Sequence, residues 1–196
     1  MIALVFLGLL FLSFSYAVPV SSGEVMEVIP DFVGFLLLWL GMEKAKPLGG
    51  RMKVCSYIAG GLIAVHFLVF LGQLDLLLPS FSLDDLLIFK VFFGFIGDIY
   101  SAGEAWFVFA NFVFAAFLAF AFKEESDYDG RVLESVIFFI CGILMIGGGI
   151  FCAVHFFAEW SFSFRYVTVP AMLVFALCCV AFGDRLRAFG GKAKEQ

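Results

Sequence analysis

Charge is the scarcest thing in this sequence. Asp, Glu, Lys and Arg make up 15% of its 196 residues, against about a quarter in a soluble domain. There are two histidines, His66 and His155, and five prolines, so few positions can transfer a proton near neutral pH. No HExxH, GxSxG, Walker loop or GxGxxG occurs, which removes the common hydrolase, NTPase and dinucleotide signatures. The five cysteines, Cys55, Cys141, Cys152, Cys178 and Cys179, are odd in number, form no CxxC, and fall inside apolar runs. A disulfide framework or zinc knuckle is not expected on that spacing, and small polarizable packing residues are the simpler reading. No basic patch interleaved with stacking aromatics is present, so a nucleic-acid partner is set aside. The net charge of −5 decides little, because in a membrane chain the side on which charge lies outweighs its sum.

What is abundant is apolar surface. Hydrophobic residues are 63% of the chain, 29 of them phenylalanine, and the mean hydropathy is +1.07. One water-soluble core of this size cannot hide so many large side chains, so the composition implies a lipid bilayer as solvent and partner. Alternating strands for a barrel are absent, which leaves helices. The expected fold is therefore all-α: a polytopic helix bundle forming one integral membrane domain over 1–196. Six spans are expected at 2–18, 30–42, 54–71, 104–122, 132–158 and 166–182, with an external interfacial helix at 83–97. That last segment, 15 residues, is about 22 Å of helix, too short for a ~30 Å hydrocarbon core.

Positive charge sets the expected sidedness. Ten of the twelve Lys and Arg fall in the 2–3 and 4–5 connections and in the basic tail, 184–196. Both termini are thereby expected in the cytoplasm. A secretory signal ending at Ser15-Tyr16-Ala17 is the rival reading of the first span, against which Met1–Leu12 offers no basic residue. The run KEESDYDGR, with Glu124 and Glu125, reads as a solvated turn.

The stretch Ile29-Pro30-Asp31-Phe32-Val33-Gly34-Phe35, following one hydrophobic span, resembles a turn found in small multi-pass membrane proteins of clostridia and related bacteria. The likeness covers about the first fifty residues, and the longer acidic lead-in, 21–27, departs from it. The resemblance implies a bacterial inner-membrane protein. It carries over no catalytic residue.

Two stretches echo each other: AGGLIAVHFLVF and GGGIFCAVHFF place Gly60, Ala64 and His66 against Gly149, Ala153 and His155. Small residues four apart suit close helix packing, so Gly60–Ala64 and Gly149–Ala153 are expected as ridges. Each histidine lies 200° from its alanine, on nearly the opposite face. His66 there shares a stripe with Gln73, and His155 shares one with Glu159. Glu104 and Asn111 fall on one face of the fourth span, and Asp31 enters the second from the same side. Buried ionisable groups in a bilayer face a cavity or one another. Asp31, His66, Gln73, Glu104, Asn111, His155 and Glu159 are thus the candidate ligand-binding residues.

The expected function is binding or transport of a small solute through a polar pocket open to the outside. A non-catalytic partner of another membrane protein is the alternative. An intramembrane enzyme holding haem between the two histidines, or zinc on His66, His155 and Glu104 or Glu159, ranks behind, because the histidine depths differ and no ligand spacing is present. No cofactor is expected.

Overall fold

A computed structural model describes residues 1–13, 17–19, 25–27, 31–44, 49–77, 104–158 and 165–186. Six α-helices run through them: α1 (Ile2–Ser13), α2 (Asp31–Glu43), α3 (Gly50–Leu77), α4 (Glu104–Tyr128), α5 (Val132–Ala158) and α6 (Arg165–Cys178). A π-helical turn, Cys179–Gly183, continues α6. The expected interfacial helix at 83–97 lies outside the described residues.

The fold is helical, as the composition requires, with one departure. Ala17–Pro19 (β1) and Val25–Glu27 (β2) pair antiparallel, Val18 opposite Met26, so the first apolar run is not one helix as far as residue 18. Its helix ends at Ser13, whose hydroxyl turns back to donate to the Leu9 carbonyl at 2.7 Å. Such back-bonding satisfies a last-turn carbonyl and competes with continuing the helix.

Consecutive helices pack on one another, and α6 with its π-turn returns to α1, closing the circuit. The neighbours run antiparallel. On α1 and α2, Gly8 meets Leu38 while Gly41 meets Val5. On α2 and α3, Phe32 meets Phe67 while Glu43 meets Ser56. On α4 and α5, Phe122 stacks on Phe138 while Phe112 meets Gly148. Leu9, Phe35, Leu38, Phe112, Phe114, Phe122, Phe138 and Phe175 fill the centre.

Close backbone approach belongs to α1 and α2. A Cβ on Gly8 would lie 2.6 Å from Leu38 Cγ and 2.7 Å from the Gly34 carbonyl oxygen, and one on Gly34 would lie 3.0 Å from the Gly8 oxygen. Only hydrogen fits there. On α5, Gly142 and Gly148 instead make sockets for the Phe120 and Phe112 rings.

The expected ridges are corrected by this packing. Gly60 has only Trp39 near it, at ordinary contact distance, and Ala64 is exposed. A row of residues four apart turns by 40° per step, so Ser56 is buried, Gly60 half-buried and Ala64 outside. Gly149 likewise makes ordinary contact with Phe109 and Phe112, and Ala153 is half-buried. The tight glycine beside it is Gly148.

Basic residues collect at one end, with Lys44, Arg51, Lys53, Lys123, Arg131 and Arg185 at or beside helix termini that meet there. The acidic run at this end is not a solvated turn. Helix α4 continues through it to Tyr128, and Glu125 and Ser126 are buried. Glu125 Oε1 accepts the Gly49 N–H at 2.6 Å, satisfying a donor beside the start of α3 that no helical carbonyl can reach. Ser126 donates to the Phe122 carbonyl at 2.8 Å. The real turn is Asp129–Gly130, with Gly130 at φ 68°, where a side chain would be strained.

Among the described residues, one helix is long and apolar enough to cross a membrane, Val132–Val154, with a mean hydropathy of 2.6. Ile2–Ser13 and Val169–Gly183 are apolar but shorter. On α5, Phe138, Cys141, Met145 and Cys152 point inward, while Val136, Ile140, Ile143, Leu144 and Ile150 are exposed. Both faces are apolar, and the outer one carries the bulkier aliphatic side chains.

A buried Asp–His–Asn cluster

The inner stripe of α3 is Met52, Cys55, Ser56, Ala59 and His66, all buried, spaced three, four and seven apart as one helical face requires. The row carries His66 into the interior toward the start of α2. Asp31 is the first residue of α2, where a carboxylate faces the positive end of the helix dipole. On α4, Asn111 begins a buried row with Ala115, Leu118 and Phe122. Three helices thus deliver three polar side chains to one point, distant from the basic end.

Asn111 Nδ2 donates to Asp31 Oδ2 at 3.2 Å. His66 Nδ1 stands 3.9 Å from the same oxygen, beyond a hydrogen bond but within ion-pair reach. Each residue is at least 94% buried. Asn111 Oδ1 has no hydrogen-bond partner among the described residues. An amide whose nitrogen is committed to a carboxylate presents its oxygen as an acceptor, so this atom is set to receive an N–H or O–H.

Phenylalanine rings lie beside the cluster. The Phe35 ring lies 5.1 Å from the imidazole of His66 and meets Phe114 edge-on at 5.4 Å. Phe32 contacts both Phe67 and Phe70. The three polar side chains are themselves almost wholly buried, and hydrogen bonds in a medium of low dielectric are correspondingly strong.

Of the seven candidate binding residues, Asp31, His66 and Asn111 come together. The side chains of Gln73, Glu104 and His155, and Glu159 entirely, lie outside the described residues. Among the described residues no group of three or more His, Cys, Asp or Glu is arranged to hold a metal ion. The sequence reading missed Glu125, which charge alone placed in solvent, and Gly8, Gly34 and Gly41, whose only signal was glycine inside leucine-rich runs. A comparison of the chain with protein-family models, with curated proteins and with solved structures finds no match, so the function is argued from this geometry.

Proposed function

We propose that the protein is a multi-pass membrane protein that binds a small polar solute at Asp31, His66 and Asn111. The membrane reading is supported by the bulky aliphatic outer face of α5 and the concentration of basic residues at one end. Apolar surface of that extent is stable against lipid and a liability against water. The basic end is then cytoplasmic, and the polar cluster lies toward the outer side.

The observation that carries the solute reading is the convergence itself. Polar side chains inside a bilayer disfavour insertion, and are kept where they bind a substrate, an ion or a proton. Interhelical hydrogen bonds of this kind contribute only about 0.6 kcal/mol each in membrane proteins, too little to account for three polar groups in an otherwise apolar core. The Asp31 carboxylate and the Asn111 oxygen accept hydrogen bonds, so they favour a solute that donates them, such as an amine, an amide or a polyol.

A thermal-shift panel of primary amines, free amino acids, amides and sugars on purified protein tests this. A ligand at a hundred times its Kd stabilises the protein by about 2.7 kcal/mol. The expected result is a shift by one donor-rich class in the parent that is lost in Asn111→Leu. A panel in which no compound shifts the parent, or in which Asn111→Leu responds equally, contradicts the reading.

A further inference from the structure

Phe35 follows Asp31 by four residues on α2, and Phe114 follows Asn111 by three on α4. Both helices run toward the basic end, so each ring stands about 4.5–6 Å nearer that end than its polar neighbour. The two rings meet edge-on at 5.4 Å, and both are fully buried, in an orientation that aromatic pairs favour. The Phe35 ring also lies 5.1 Å from the His66 imidazole. One ring therefore borders the polar cluster and closes against α4.

Nearer the basic end, the inner face of α3 carries small side chains. Ala59, Ser56 and Cys55 are buried there, seven to eleven residues before His66, or about 10–16 Å along the helix. Ser56 donates to Glu43 Oε1 at 2.7 Å, and Glu43 is exposed at the end of α2. A second polar pair thus stands between α2 and α3, at the opposite end from Asp31 and His66. The stretch between the two pairs is apolar, and apolar constrictions close membrane passages by excluding water.

We propose that the protein moves its solute across the membrane, with the Phe35–Phe114 contact as the gate between the Asp31–His66–Asn111 site and a path along α3 to Ser56 and Glu43. The inference rests on the solute reading for what passes. A solute in the site bears on His66, whose imidazole lies against Phe35, so displacing the imidazole displaces the ring that closes the passage. A ligand shifts such an equilibrium only as far as it binds the open arrangement more tightly than the closed one. No covalent bond changes in the step.

The test adds a small membrane-impermeant thiosulfonate to the outer side of sealed vesicles holding the full-length protein, and identifies labelled residues by peptide mass. Cys55 is the native reporter beyond the rings, and Asn111→Cys places a second one before them. Asn111→Cys is expected to label while Cys55 stays protected. Phe35→Ala and Phe114→Ala should each speed Cys55 labelling at least tenfold. Phe138→Ala, which removes a buried ring between α4 and α5, should leave it at the parent rate. Phe35→Leu keeps most of the buried volume, should speed labelling at least threefold, and decides the matter if the alanine variants do not fold. Cys55 that labels freely in the parent, stays protected in the Phe35 variants, or labels equally in Phe138→Ala overturns the gate, and leaves the solute reading to its thermal-shift test. An Asn111→Cys thiol that the reagent cannot reach contradicts the outward-open site as well as the gate.

Discussion

Glu125 Oε1 and the Gly49 backbone N–H, 76 positions apart, form a 2.6 Å hydrogen bond that ties the end of α4 to the start of α3. The contact is part-buried, and the Glu125 side chain is buried. Losing it leaves an orphaned donor at a helix start. Glu125→Ala should destabilise the protein by about 1–3 kcal/mol, and Glu125→Gln, which keeps the acceptor, by less. Denaturation in mild detergent checks this, and Glu125→Ala unfolding like the parent would show that water replaces the bond freely.

The glycines of α1 and α2 give a second prediction. Gly8→Ala forces a methyl group against Leu38 and the Gly34 carbonyl, and overpacking of this kind costs about 1–3 kcal/mol. Gly60→Ala meets only Trp39 at 3.9 Å and should lie within about 0.5 kcal/mol of the parent. Melting temperatures of the two variants should therefore separate. The reverse order would place the close helix contact on α3.

These cases show what was legible in the sequence. The opposition of Ala64 and His66 followed from helical geometry, and the structure has one outside and the other buried. Which face was inner could not be read, because both are apolar and lipid and core select the same side chains. Asp31, His66 and Asn111 stood out because polar groups are rare in such runs. Glu125 did not, because its reason for burial is a backbone donor 76 residues away, which no local pattern records. Gly60 misled because a row of residues four apart drifts around the helix, whereas the three–four–seven pattern of Met52, Cys55, Ser56 and Ala59 stays inside.

Acid should act through Asp127 at the basic end. Hydrogen bonds from Lys123 and then Ser135 hold its carboxyl below the ordinary 3.8. A group whose pKa is depressed by folding stabilises the fold fully above its unfolded pKa, and loses that contribution as pH falls through the lowered value. Stability of the parent should thus fall more steeply below about pH 4 than that of Asp127→Asn. The side chain is exposed, so the difference is small. Parallel pH profiles would show that the two hydrogen bonds do not persist in solution.

The membrane reading makes a prediction on the outer face of α5. On that reading Ile143, half exposed, would touch lipid. Ile143→Asp should lower the amount of protein recovered in the membrane, since a central charge disfavours insertion by about 2.5–3.5 kcal/mol. In water the same change would be tolerated. A fully soluble, folded Ile143→Asp variant would contradict the lipid-facing assignment.

The central claim is that the Asp31–His66–Asn111 cluster holds a solute, and the most direct measurement is the mass of the protein released intact from mild detergent. The account predicts a non-covalent adduct of small-molecule mass on the parent that is absent from Asn111→Leu and from Asp31→Asn, with both variants still folded. An adduct-free parent, or an adduct carried equally by both variants, would contradict it and leave the cluster as a polar contact between helices.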